Sequence, residues 1–172
     1  MTDVVKTAWA DAKINTDFIF VNTFSGHRSS RADPQGVEHF FSPDAADNEL
    51  GFALLDALAH SRFVLSEPRK DVWIHPEATF DRALYDYSLT NQRYDQWVGS
   101  TLKRYGYKTK RALFKCSIES KKDQIIIRPS HHEKLEVWSG KGLSESDYVI
   151  IPSGSSPAAV GAALRLAFSR CT

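Results

Sequence analysis

The sequence has few cysteines, no long apolar run and almost no net charge. Its two cysteines, Cys116 and Cys171, show neither metal-ligand nor redox spacing, so we expect free thiols in a reducing compartment. The apolar runs fall far short of the ~20 residues that a membrane helix needs. The first residues also lack the basic and then apolar segments of a secretory signal. These absences favour a cytoplasmic protein with no membrane segment.

The overall composition excludes two further classes of protein. Of the 172 residues, 42% are hydrophobic and 25% are charged, as in ordinary soluble globular proteins, which argues against disorder. The formal net charge of +1 argues against binding of nucleic acid through bulk charge. No linker rich in proline, glycine or serine divides the chain, and its length suits one core. We therefore expect a single domain over residues 1–172.

Two stretches of the chain share one pattern of apolar residues. A short apolar strand at 40–42 precedes a helical pattern at 50–58, and a strand at 150–152 precedes one at 160–168 with the same offsets. Further strands, at 18–21 and 125–127, come before these units. Gly51 and Gly161 stand early in the two helices, where a missing side chain lets a helix approach a sheet closely. The sequence thus predicts a repeated strand–loop–strand–helix unit, with chance resemblance of two amphipathic helices as the alternative.

The remaining elements complete an α+β pattern. We expect Asp44 or Asp47 to cap the first helix, and Ser156 followed by Pro157 to start the second. Between the units, the pattern predicts strands at 62–65 and 71–74, a helix at 91–104 ended by Gly106, and a hairpin of 112–118 with 124–128. The predicted fold is a central, mostly antiparallel sheet flanked by helices.

The histidine pair His131-His132, followed by Glu133, is the first place to look for a metal. Adjacent histidines point in different directions on any regular element, whereas a zinc protease places them four residues apart. We therefore expect a polar turn here, with a metal-dependent hydrolase as the alternative. No serine elbow or nucleotide-binding glycine pattern is present either. The sequence predicts no catalytic residues, no metal and no cofactor.

Charge is distributed unevenly along the chain. The basic segment 103–115 contains six lysines and arginines with Tyr105 and Tyr107 between them, a pattern that could bind RNA or simply form a solvated helix end. The segment 71–95 instead mixes acidic and aromatic residues, which suit an interface with a basic protein or ordinary surface. We predict that five of these side chains contact a protein partner: Asp81, Tyr85, Asp86, Tyr87 and Asp95.

Three motifs resemble one known family. They are Tyr105-Gly106-Tyr107-Lys108-Thr109-Lys110-Arg111-Ala112-Leu113-Phe114-Lys115, His131-His132-Glu133-Lys134-Leu135-Glu136-x-Trp138-Ser139-Gly140, and the segment from Gly161 to Cys171. They are similar to the CdiI immunity proteins of contact-dependent growth inhibition systems. Segments 1–37 and 77–95 match no pattern of that family, so the resemblance favours them for partner specificity.

This resemblance implies a non-enzymatic role. The partner would be the cognate C-terminal toxin domain of a CdiA surface protein, delivered by a neighbouring cell. The resemblance implies a toxin that is a ribonuclease, often one that cleaves transfer RNA. It supplies no catalytic residue, and it gives His131, His132 and Glu133 a structural role.

Overall fold

The computed structural model describes residues 4–106, 113–134 and 137–172. Helices flank a central antiparallel sheet with strand order β11–β8–β7–β1–β2–β3, in which β4 also pairs with β2. The helices are α1 (Asp47–Ala59), α2 (Tyr87–Tyr105) and α3 (Pro157–Ser169). The strands are β1 (Ala8–Ile14), β2 (Ile19–Gly26), β3 (Ser30–Ala32), β4 (Glu38–Phe41), β5 (Val64–Leu65), β6 (Thr79–Phe80), β7 (Phe114–Lys121), β8 (Gln124–Pro129), β9 (His131–Lys134), β10 (Val137–Ser139) and β11 (Val149–Pro152).

The predicted α+β class and the repeated unit are both confirmed. The first unit is β2–β4–α1 and the second is β8–β11–α3, and in each the two strands pair antiparallel. Ile19 pairs with Phe41 in the first unit, as Ile125 pairs with Ile151 in the second. The loops differ, because β3 lies in the first and the β9–β10 hairpin lies in the second.

Both repeat helices pack on one face of the sheet, here called the first face. Alternate strand residues, such as Ala12, Ile118 and Ile127, join Leu54 and Leu164 in one buried core. A Cβ placed on Gly51 would lie 1.6 Å from the carbonyl oxygen of Pro157, and one on Gly161 would lie 1.7 Å from that of Asp47. The two glycines therefore bring the helices against each other, and our prediction that they admit a helix to the sheet was wrong.

The helix starts follow the sequence only in part. Ser156 caps α3 as predicted, since its hydroxyl accepts from the Ala159 N–H at 3.2 Å. Neither Asp44 nor Asp47 caps α1, whose N-cap position is Ala46. Asp47 instead accepts from Arg165 Nε at 2.9 Å. Its carboxylate thus joins α1 to α3, a long-range contact that local pattern does not reveal.

Helix α2 covers part of the opposite, second face. It begins at Tyr87 rather than near Asn91, because the Asp86 side chain accepts from two N–H groups of the first turn. It ends before Gly106 as predicted, with that glycine at φ 89°. Its aromatic residues pack on β2 and on the residue before that strand. The Trp97 ring centre lies 5.0 Å from that of Phe20, and the Tyr105 ring centre lies 4.8 Å from that of Phe18.

Two local predictions have opposite outcomes. The β7–β8 hairpin is confirmed over its described residues, with Lys122 and Asp123 at positive φ in the turn, while Ala112 lies outside them. Residues 71–74 form no strand; β5 pairs instead, in parallel, with β6. Ring contacts of His75 with Trp73 and Phe63 hold this stretch in place of a strand ladder.

The expected polar turn at His131-His132 is wrong as well. These residues lie in β9, which pairs with β10, and the His132 ring stacks on Trp138 at 5.1 Å. Ring stacking across the two strands and backbone pairing therefore hold residues 131–132 in an extended conformation. None of the helices among the described residues is long and apolar enough to cross a membrane.

Candidate functional site

A cavity of about 270 Å³ opens on the part of the second face formed by β7 and β8. The β10 strand and the loop that follows it form its other wall. Within the described ranges, its lining includes two cations and no carboxylate. The lining residues are Lys115, Ser117, Arg128, Pro129, Ser130, Trp138, Ser139, Gly140, Leu143 and Tyr148.

Each cation in the cavity lies over an aromatic ring. Lys115 Nζ lies 5.5 Å from the centre of the Trp138 ring, and the Arg128 guanidinium lies 5.1 Å from that of Tyr148. Trp138 is itself fixed, since its Nε1–H donates to the Leu113 carbonyl at 3.0 Å. The cations are thus held in defined positions at the cavity wall, where they can meet an anionic group.

Two buried carboxylates lie behind these cations. Asp11 pairs with Lys13 at 2.5 Å and with Lys115 at 3.7 Å. Glu119 pairs with Arg128 and, at 3.3 Å, with Lys121. Four cations face two carboxylates in this cluster, so the second face carries an excess of positive charge beside the cavity.

The structure gives three of the predicted contact residues internal partners. Asp81 accepts from Arg62 Nη1 at 2.9 Å, and this hydrogen bond lowers the pKa of Asp81. Tyr85 donates its hydroxyl to the Val64 carbonyl at 2.6 Å, and Arg31 lies over its ring at 3.8 Å. Asp86 is the N-cap of α2. These side chains hold the segment in place and are not free to serve only a partner.

The other two predicted contact residues point to solvent from α2. Tyr87 is 69% exposed, and Asp95 is also exposed. The spacing Tyr87, Asn91, Asp95 places them along one side of the helix, and Asn91 is exposed as well. The structure therefore separates the five residues into a positioning group and an exposed pair.

The basic segment is described only in part, since Tyr107, Lys108, Lys110 and Arg111 lie outside the described residues. Arg104 lies 5.1 Å from the ring centres of both Phe40 and Tyr105. Lys115 belongs to the cavity wall. These two cations pack on the protein's own aromatic rings, whereas Lys103 is exposed.

The histidine pair is held by separate partners. His131 Nδ1 lies 2.8 Å from Thr172 Oγ1, while His132 stacks on Trp138. Glu133 accepts from Ser139 Oγ at 2.8 Å. Over residues 4–106, 113–134 and 137–172, no cluster of histidine, cysteine, aspartate and glutamate could hold a metal ion.

Sequence reasoning missed the cavity, although one signal for part of it was present. Residues Lys115, Ser117, Glu119 and Lys121 occupy alternate positions of β7, so they share one face of the sheet. Arg128 joins them only through the β7–β8 register, where it pairs with Ser117. Trp138 and Tyr148 arrive from later segments, which no local pattern could place.

Comparison with known proteins gives consistent matches along nearly the whole chain. A family model described as CdiI, CDI immunity protein, matches residues 8–171. The immunity protein CdiI-YPIII of Yersinia pseudotuberculosis serotype O:3 (strain YPIII) is 58% identical over 175 residues, covering 99% of each chain.

Two solved structures show the same fold. A chain of the CdiA-CT/CdiI toxin and immunity complex from Yersinia pseudotuberculosis matches with a TM-score of 0.95 and 56% identity, over 99% of this chain and 100% of that one. The protein of unknown function NMB0488 from Neisseria meningitidis matches with a TM-score of 0.80 and 31% identity, over 100% of this chain and 99% of that one.

Proposed function

We propose that this chain, which belongs to the CdiI family of CDI immunity proteins, binds the C-terminal toxin domain of its cognate CdiA protein and neutralises it. The observation that carries the proposal is the 56% identical chain in a toxin and immunity complex, with a TM-score of 0.95. Similarity of that extent includes the whole sheet and all three described helices. It supports a shared mode of action.

The proposal has several further parts. The chain would act in the cytoplasm as one domain, residues 1–172, without catalysis, metal or cofactor, and without direct contact to nucleic acid. The toxin would be a nuclease, and the family resemblance implies a ribonuclease that cleaves transfer RNA. An inhibitor of such an enzyme gains from electrostatic steering, because a toxin molecule must be bound before it cuts its substrate.

We place the main toxin contact on the open part of the second face. Ile150 and Phe40 occupy equivalent positions of the two repeat units, yet Ile150 is 52% exposed while α2 covers Phe40 through Arg104 and Tyr105. No described helix covers β11 on this side. A toxin element that packs over Ile150 would bury apolar surface and bring an acidic group to Arg128 in the cavity.

The exposed pair on α2 is the second proposed contact. Tyr87 offers a large, partly polar ring and Asp95 a negative charge, which suit a basic surface on a nuclease. Asp81, Tyr85 and Asp86 would support this surface by fixing the segment before α2 and its first turn.

The function is tested by producing the chain with and without the toxin domain encoded beside it. We expect a stable one-to-one complex by calorimetry and survival of cells that express both proteins. Cleavage of transfer RNA and of DNA by the toxin domain is then measured with and without the chain, which identifies the substrate. Absence of a complex at micromolar concentrations, together with unprotected cells, would refute the proposal.

Contacts are mapped with substitutions of matched charge. We expect Arg128→Gln and Asp95→Lys each to weaken toxin binding about 10-fold or more at low salt. Lys70→Gln and Asp17→Lys, at exposed positions outside the two proposed contacts, serve as controls and should leave affinity unchanged. If the controls and variants bind equally well, the toxin lies elsewhere. Tight, salt-sensitive binding of generic RNA by the isolated chain would instead favour an RNA-binding protein that uses segment 103–115.

A further inference from the structure

The two cysteines, 55 positions apart in sequence, meet in the fold. Their Sγ atoms lie 3.6 Å apart. Cys116 is fully buried on the first face of β7, while Cys171 follows α3 and is partly exposed. Both are thiols in this structure. The fold therefore places an inaccessible sulfur beside one that solvent can reach.

Backbone contacts hold Cys171 in this position. Its N–H donates to the Phe168 carbonyl at 3.1 Å, and the next residue, Thr172, donates to the Ser130 carbonyl at 3.1 Å. The Thr172 carbonyl in turn accepts from the His132 N–H at 2.8 Å. These bonds lay the segment 170–172 beside β9 and direct the second thiol toward β7.

We propose that Cys116 and Cys171 form a thiol–disulfide exchange site, which closes to an internal disulfide when it meets a low-molecular-weight disulfide such as oxidised glutathione. This inference does not depend on toxin binding. A disulfide needs sulfurs about 2.05 Å apart, so the two atoms must approach by roughly 1.6 Å. Cys171 lies outside helix and strand, so its side chain can rotate and its backbone can shift slightly while the bonds of Thr172 to Ser130 and His132 remain.

The exchange proceeds in two balanced steps. The Cys171 thiolate attacks one sulfur of oxidised glutathione, forming a mixed disulfide and releasing one glutathione thiolate. Cys116 then attacks Cys171 Sγ, loses its proton to solvent or to the departing thiolate, and releases the second glutathione. The two protein thiols lose two electrons, and the glutathione disulfide gains them.

The electrostatics of the pair support this order of events. The hydrogen bond with Cys171, together with burial, raises the pKa of Cys116. The hydrogen bond from Cys116, with help from backbone groups, lowers the pKa of Cys171. The accessible sulfur is therefore the one that ionises first, and thiolates are the attacking species. In a reducing compartment the pair remains as two thiols.

Closing the disulfide would tie α3 and the segment after it to the central strand β7. Because the bond would close a long loop, it restricts the unfolded chain and stabilises the fold. We expect the oxidised chain to melt about 5–10 °C above the reduced chain.

The test uses the full chain equilibrated with glutathione buffers of increasing oxidised fraction, followed by acid quenching and intact-mass measurement. We expect the native chain to lose the mass of two hydrogen atoms, to lose both reactive thiols and to melt at higher temperature. Cys116→Ala should instead retain a glutathione adduct on Cys171, because the resolving thiol is absent. Cys171→Ser should remain unmodified, because Cys116 is buried.

Other outcomes would overturn the proposal. One such outcome is a native chain that accumulates a stable glutathione adduct or a dimer linked through Cys171. Either product would show that Cys116 cannot reach Cys171 to resolve the mixed disulfide. A chain that keeps both thiols in fully oxidised glutathione likewise refutes it. These results concern the native protein alone, so they stand even if a variant fails to fold.

Discussion

The close contact between α1 and α3 makes Gly51→Ala the most informative stability test. An alanine Cβ at this position would lie 1.6 Å from the Pro157 carbonyl oxygen, whereas real Cβ atoms essentially never approach within 3.0 Å. The partner atom is backbone and cannot rotate away. The two helices must therefore move apart by about 1.4 Å at this point, in an interior that is packed as densely as a crystal.

The magnitude follows from two opposing effects. Overpacking of a core costs typically about 1–3 kcal/mol, and a rigid backbone neighbour favours the upper end of that range. Alanine returns about 1 kcal/mol through its better helix propensity. We expect the free energy of unfolding to fall by about 2 kcal/mol, which for a chain of this length lowers the melting temperature by roughly 4–8 °C.

Two other glycines provide a control and a second test of the same helix contact. Gly99→Ala in α2, where nothing lies within 4 Å of the added Cβ, should raise stability by about 1 kcal/mol. Gly161→Ala should repeat the loss seen at Gly51, because its Cβ would meet the Asp47 carbonyl. The double variant should lose less than the sum, since one separation of the helices relieves both contacts. Urea unfolding of the native protein and these four variants would refute the reasoning if Gly51→Ala matched or exceeded the native stability.

Three further predictions concern local electrostatics, capping and turn geometry. Burial alone would raise the pKa of Asp33, but hydrogen bonds from Arg62 and Ser25 hold it below its ordinary value. This carboxylate therefore stabilises the fold above its ordinary pKa, and that stabilisation is lost as pH falls through the lowered pKa. Thermal melts at pH 3 to 7 should show this dependence weakened in Asp33→Asn, and identical pH profiles would contradict it. Asp86→Ala removes the α2 cap and should cost about 1 kcal/mol in urea unfolding, whereas no loss would show the cap to be dispensable. Lys122→Asn with Asp123→Gly suits the positive φ angles of the β7–β8 turn and should add about 0.5–1 kcal/mol; a less stable variant would refute that geometry.

Sequence pattern predicted those features that depend on neighbouring residues. Helical spacing of apolar residues located α1 and α3, and strand signals on either side of a polar turn located the β7–β8 hairpin. The repeated unit followed from matching offsets in the two halves. These signals are local, because periodicity and capping act over a few residues. The same reason explains why the predicted strand at 71–74 was wrong. Its apolar residues do favour a strand, but ring contacts hold the segment and no described strand pairs with it.

Features that depend on strand register or helix contact could not be predicted. The partner of Gly51 is a carbonyl at the start of α3, and the partner of Cys116 is a residue that follows α3. Arg128 and Tyr148 meet only because β8 pairs with both β7 and β11. The predicted contact residues before α2 show the same effect, since the internal partners of Asp81 and Tyr85 come from distant segments.

The two faces of the sheet differ in how freely they can change. The first face is made by both repeat units, and its helices touch through glycines whose replacement forces backbone to move. Among the described residues, α2 covers only one part of the second face, and Ile150 and the Arg128 cavity stay open at the other. A substitution at an exposed position leaves the core intact and usually changes the free energy of unfolding by no more than about 0.5 kcal/mol. Residues of the second face can therefore be substituted without disturbing the packing of α1 on α3. This difference in constraint, rather than charge alone, is why we place partner recognition there.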